Sequence, residues 1–202
     1  MKNPDPFQLA LAQEEFAADC CQLFGIDPQT PGRDSILQTA IYCRALGLDH
    51  THPMAQQHVI AAMICKALGL SFDPTAPEMP WDFMTALAVG VDPTAPDARD
   101  QTSRAFQRLN MFGLNRNIPG ALEKGRRIIR HKAFGIDPED PDASAKFSAT
   151  VESLAFGVDP NAPDAGHQAK LRIACQAFNV KPGGPETWKR IIDTVRELTK
   201  EA

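Results

Sequence analysis

The sequence predicts an all-helical fold: a single domain spanning residues 1–202, built from about nine copies of one helix-plus-loop unit stacked as an α-solenoid-like array. Three observations carry this. A short phrase recurs along the chain, its copies are evenly spaced, and the segments between them place apolar residues at helical intervals.

The phrase reads aromatic or aliphatic, Gly, aliphatic, Asp, Pro, two variable residues, Pro. Its clearest copies are Phe24-Gly25-Ile26-Asp27-Pro28 with Pro31, Val89-Gly90-Val91-Asp92-Pro93 with Pro96, Phe134-Gly135-Ile136-Asp137-Pro138 with Pro141, and Phe156-Gly157-Val158-Asp159-Pro160 with Pro163. Weaker copies surround Gly47, Gly69, Gly113 and Asn179, so the landmark falls at 25, 47, 69, 90, 113, 135, 157 and 179, most often 22 residues apart.

Each member of the phrase has a physical task. Glycine suits the position just past a helix end, where the backbone turns left-handed, and asparagine is the best substitute at residue 179. The aliphatic residue after it is expected to fold back on the last helical turn. Asp-Pro starts a turn in which the carboxylate accepts nearby backbone N–H groups. The second proline is expected at the first helical position, where its missing N–H costs nothing. Asp97, Asp142, Asp164 and Glu186 follow that proline and place negative charge at the positive end of the helix dipole.

The intervening segments predict helices near 6–23, 32–46, 54–68, 79–89, 97–112, 120–134, 142–156, 164–178 and 186–200. Apolar stripes include Ile36, Ala40 and Cys43, then Val59, Ala62 and Met63, then Phe147, Val151, Leu154 and Ala155. A lone unit cannot bury such a stripe, so the helices must stack. The sequence leaves open whether the array stays open or closes on itself, and its oligomeric state.

Hydrophobic residues make up 43% of the chain and charged residues 23%, which excludes wholesale disorder. No apolar run approaches the roughly 20 residues that cross a bilayer, so no membrane span is expected. The N-terminal Met1-Lys2-Asn3-Pro4-Asp5-Pro6 lacks a signal-peptide plan, which makes a cytoplasmic location the default expectation. An odd number of cysteines, five, with Cys20 and Cys21 adjacent, argues against a disulfide framework.

The net charge of −4 hides an asymmetry. Residues 99–134 carry 9 basic and 2 acidic groups, whereas residues 1–98 carry 4 and 12. Within this basic island Arg104 and Arg108 are spaced for one helix face, as are Arg126 and Arg130, with Arg127 alongside and Leu122, Gly125, Ile128 and Ile129 opposite. Such a patch attracts an acidic protein surface or a phosphate backbone. The competing reading is a solvated face balanced by the acidic arms.

A second departure is the fourth unit, where Ser71-Phe72 is inserted and Pro80 enters the helix start, leaving Phe72, Met79 and Trp81 as a candidate apolar contact surface. Local repacking around a shortened helix is the plainer account. His50, His52 and His58 could serve a divalent metal, though a solvated turn explains them as well. Asp137, Glu139, Asp140 and Asp142 lack calcium-loop spacing. Cys21, Cys43, Cys65 and Cys175 share one repeat position and read as buried packing.

No phosphate-binding glycine loop, HExxH or GxSxG pattern is present, so no catalytic residue, metal or cofactor is assigned. The expected function is a non-catalytic scaffold engaging a protein partner. Nucleic-acid binding through residues 99–132 is the alternative, and a metal-dependent enzyme around the histidines is the weakest reading.

Overall fold

The structure, a computed structural model, describes residues 14–75, 79–108, 120–184 and 186–201, with the side chains of 106–108 outside the description. Among the described residues all regular structure is helical. The helices are α1 Glu14–Phe24, α2 Arg33–Leu46, α3 Ala55–Ala67, α4 Trp81–Ala88, α5 Ala98–Arg108, α6 Ala121–Ala133, α7 Ala143–Ala155, α8 Ala165–Ala177 and α9 Thr187–Glu201. Most begin or end on alanine, the strongest helix former and the smallest side chain that can pack at a helix end.

The same corner follows helix after helix. The N–H of Ile26 donates to the Cys21 carbonyl at 2.8 Å, Leu48 to Cys43 at 2.8 Å, Leu70 to Cys65 at 2.8 Å and Val91 to Ala86 at 2.9 Å. Ile136 repeats it on His131 at 2.9 Å, Val158 on Ser153 at 2.8 Å and Val180 on Cys175 at 2.8 Å. Each bond spans five residues, the signature of a Schellman closure, and the residue inside it is left-handed. Gly47 there has φ 70°, and Asn179 adopts φ 53°. The copy at Gly113 lies outside the described residues.

Beyond the closure the aspartate acts on its own turn. The Asp27, Asp137 and Asp159 carboxylates accept the N–H groups of Gln29, Glu139 and Asn161. Asp49 and Asp92 also accept the hydroxyls of Thr51 and Thr94 at 2.7 Å. The second proline departs from the expected first helical position by two residues. Pro96 and Pro163 precede α5 and α8 by two positions, inside turns closed by Ala98 N–H to the Ala95 carbonyl and Ala165 N–H to the Ala162 carbonyl. Proline's fixed φ suits the second position of such a turn, and its missing N–H is again not called upon.

The chain divides into two compact units, one formed by Met1–Pro77 with Glu152–Ala202 and the other by Glu78–Val151, the boundary falling inside α7. In the first unit α2 packs against α1, α3 and α8, while α9 packs against α1 and α8. These contacts close the first described helix on the last, pairing helices that a neighbour-to-neighbour stack would keep apart. Phe16, Leu37, Ile41, Ile64, Ile173, Ile191 and Val195 are buried at their meeting, each contributing on the order of 1.5–3 kcal/mol relative to exposure. Polar contacts fix the α1–α9 register. Gln22 Nε2 donates to the Thr199 carbonyl at 3.3 Å, the Thr199 hydroxyl donates to the Asp19 carbonyl at 3.3 Å, and Arg196 lies 3.5 Å from the Glu15 carboxylate.

Burial also corrects the predicted stripes. In α2 the buried face runs through Leu37, Ala40 and Ile41, leaving Ile36 40% exposed, and Leu154 of α7 is 38% exposed. Because α2 is covered by three helices, its packed arc is centred on Leu37 and Ile41, one residue round from Ile36.

In the second unit α4 packs against α5 and α6. Met84, Ala86, Ile128, His131, Ala143 and Val151 are its buried side chains among the described residues. The Phe147 ring sits 5.4 Å from Phe134 and 5.6 Å from His131.

Candidate functional site

Three basic or imidazole side chains of the first unit are committed to helix ends. Arg44 Nε donates to the Ala177 carbonyl at 2.8 Å, Arg172 Nη1 donates to the Phe156 and Gly157 carbonyls at 3.0 and 2.6 Å, and His50 Nε2 is 3.1 Å from the Phe24 carbonyl. Each sits on the negative end of a helix, where a cation or N–H donor is most useful. The aromatic residue of the same corner receives a partner as well: Arg44 lies 5.8 Å from the Phe178 ring centre, Lys66 4.4 Å from Phe156, and His50 meets Phe24 edge-on at 5.3 Å. Sequence reading did not find this cross-helix capping, although the recurring phenylalanine ahead of the landmark was its signal.

The histidine cluster is spent on structure. His52 Nδ1 accepts the Met54 N–H at 3.1 Å, and its ring stacks on buried His58 at 4.5 Å. Among the described residues no group of three or more His, Cys, Asp or Glu is placed to hold a metal ion. In the acidic loop, Asp137 and Asp140 accept backbone N–H groups and Asp140 pairs with Lys146. All five cysteines are free and buried. Burial pushes the Cys20 thiol up to about 12, aided by Cys21 and Asp19, and the Cys43 thiol to about 11, aided by Asp49.

The remaining candidates fall in both units. Phe72 belongs to the first, half-buried in a small cleft with Leu48, Lys66 and Leu70, its ring 6.4 Å from His58. Met79 and Trp81 belong to the second, where they line a cleft of about 760 Å³ with Phe83, Pro93, Arg99 and Thr102. The inserted Ser71-Phe72 and the Pro80 break thus belong to different units.

This second cleft is the candidate site. Pro80 precedes α4 and starts it late, so that Trp81 stands at its first residue, half-exposed, while Met84 and Ala86 on the inner side are buried. Arg99 and Thr102, three apart on α5, contribute to the lining, and the Thr102 hydroxyl is buried there without a hydrogen-bond partner. The sequence places Arg99 within the basic island but does not join it to Trp81.

The basic island reaches the cleft through a second residue besides Arg99. The Arg126 guanidinium of α6 lies 5.4 Å from the Trp81 ring centre, close enough for a cation–π attraction. Arg127 is exposed on the same helix, and Arg104 is exposed on α5. Arg130 is half-buried, 3.7 Å from Glu123 and 6.0 Å from the Phe147 ring centre, so it serves the packing of the unit. The side chain of Arg108 lies outside the described residues. Leu122, expected on the packed side of α6, is 71% exposed, because it stands in the first turn, ahead of the buried Ile128 and His131. Among the described residues Arg99, Arg104, Lys124, Arg126 and Arg127 make no ion pair.

No described helix is long and apolar enough to cross a membrane. No family model, curated protein or solved structure matches the chain.

Proposed function

We propose that this chain is a non-catalytic helical-repeat scaffold that engages a protein partner through its second unit. The observation that carries the reading is the meeting of Trp81 and Arg126: a half-exposed indole with a guanidinium at its face, beside a cleft, on a unit where Arg99, Arg104 and Arg127 are exposed and make no ion pair among the described residues. Trp and Arg are the residues most enriched where protein interfaces concentrate their binding energy. Support for the repeat reading comes from the recurrence of one corner geometry after seven described helices. Support for a non-catalytic role comes from the five thiols, which are buried, from His50, which caps a helix end, and from Asp137, which accepts a turn N–H.

The test is differential capture. Immobilised full-length protein and a Trp81→Ala/Arg126→Ala variant of matched helicity and melting temperature are exposed to the same native proteome. A partner retained by the first and lost by the second supports the reading, and identical retained sets overturn it. Nucleic acid is the competing outcome. A gel shift that weakens steeply with salt and disappears in Arg126→Ala/Arg127→Ala would move the assignment there.

A further inference from the structure

We infer that the second-unit cleft is a docking groove for an acidic peptide segment bearing one apolar or aromatic anchor, supplied by a partner protein. The inference rests on the protein-binding reading above and names the chemistry of its ligand.

The cleft is apolar over much of its lining. Met79, Phe83 and Pro93 line it beside the Trp81 ring, in a space of about 760 Å³, within the roughly 300–1,000 Å³ common for small-ligand and anchor pockets. That volume has room for a single large side chain. The cationic groups stand at the margin. Arg99 lines the cleft from α5, and Arg126 covers the Trp81 face from α6. Lys124 and Arg127 extend the charge along α6 outside the cleft, and none of the four makes an ion pair among the described residues. An apolar pocket with guanidinium groups at its rim fits an anchor residue flanked by carboxylates, which such groups bind in a two-pronged geometry.

Two details favour a peptide over the other polyanions. Asp82 also lines the cleft and is exposed; it repels an unbroken phosphate backbone but leaves room for carboxylates that are spaced apart. Trp81 and Phe83 are the aromatic rings among the described lining residues, whereas single-stranded nucleic acid uses a longer succession of aromatic faces. A small molecule confined to the cleft would leave Lys124 and Arg127 unused.

The experiment uses the full chain carrying Trp188→Phe, so that Trp81 is its sole tryptophan. Three short synthetic peptides share a central phenylalanine flanked by glutamate and aspartate, by glutamine and asparagine, or by lysine. A fourth keeps the acidic flanks and replaces the phenylalanine by glycine. Saturable change in Trp81 emission is expected for the first peptide, at least about tenfold tighter than for the glutamine peptide. It should weaken with salt, fall about tenfold or more in Arg99→Gln/Arg126→Gln, and require the phenylalanine.

Equal binding of the acidic and glutamine peptides, or no saturable response to either, overturns the inference. Acidic-peptide binding measured by anisotropy that persists in Trp81→Ala also overturns it, since the contact then lies elsewhere. An oligonucleotide that displaces the peptide and binds more tightly overturns it in favour of nucleic acid. If captured partners depend on Trp81 and Arg126 while the acidic peptide fails, this inference falls and the scaffold reading stands; if neither depends on them, both fall.

Discussion

Val180 donates its backbone N–H to the Cys175 carbonyl at 2.8 Å, around an asparagine whose φ is +53°. Six other described corners make the same bond around a glycine. Asparagine tolerates this conformation at a modest cost that glycine does not bear, while a β-branched side chain is strained there. Asn179→Gly is therefore expected to raise the stability of the first unit by a few tenths to about 1 kcal/mol, and Asn179→Val to lower it by about 1–2 kcal/mol. Urea midpoints at constant m-value check both. Equal midpoints for Gly and Val would show that the corner does not constrain this residue.

Gly47 and Gly157 occupy equivalent corners of the first unit, but their surroundings differ. A Cβ built on Gly47 meets nothing within 4 Å, whereas one on Gly157 comes 3.1 Å from Arg172 Nη1. Both Ala substitutions carry backbone strain of about 1–2 kcal/mol. Gly157→Ala is expected to cost about 1 kcal/mol more, because it displaces the Arg172 hydrogen bonds to Phe156 and Gly157. In an Arg172→Met background that excess should vanish, which a double-mutant cycle reads directly.

The five thiols give a solution test of the packing. All are buried, and those of Cys20 and Cys43 are held at about 12 and about 11 by loss of solvation. Thiolate, not thiol, reacts with alkylating reagents. At pH 8 Cys20 and Cys43 should each react at least about a hundredfold more slowly in the native protein than in the urea-unfolded chain, an order-of-magnitude figure from their thiolate fractions. Rapid modification of any one cysteine would show that its helix end is open.

His131 makes the second unit sensitive to mild acid. The side chain is 3% exposed with Nδ1 lacking a hydrogen-bond partner. Burial, then the Arg130 and Arg127 charges, hold its pKa below the ordinary 6.5. The unfolded chain thus takes up a proton before the folded one does. Stability of this unit should be level above about pH 6.5 and decline as pH falls below it. Trp81 emission in Trp188→Phe follows that decline, and His131→Phe should flatten it. A separate loss belongs to Asp92, held below 3.8 by the Thr94 hydroxyl and N–H, and appears only in stronger acid.

The corners were the most legible part of the sequence because they are local. Gly47, Leu48 and Asp49 meet their partners within a few residues, so spacing alone revealed where α2 ends. Pro96 was misplaced by two residues, since a turn residue and a first helical residue ask the same φ of proline. What joined Arg44 to Ala177, or closed α1 on α9, depends on which helix faces pack, and every Ala-rich segment offers a similar face. The cleft was half legible. Met79 and Trp81 stood out as a break in the pattern, but their union with Arg99 and Arg126 spans two other helices. Leu122 obeys the helical wheel and still faces water, because a wheel does not register how far along the helix its neighbour reaches.

The pairing of α1 with α9 also sets the order in which this molecule can be finished. Ribosomal synthesis at about 5–20 residues per second separates the emergence of these two helices by on the order of ten seconds. Throughout that interval Phe16 and Cys20 have no Ile191 or Val195 to rest against. Local corners can form at once, since their bonds need only the preceding turn, but the larger core is sealed by its final segment. A nascent chain stalled before residue 187 would hold ready-made helices around an unsealed apolar seam, the kind of surface that chaperones bind and aggregation exploits.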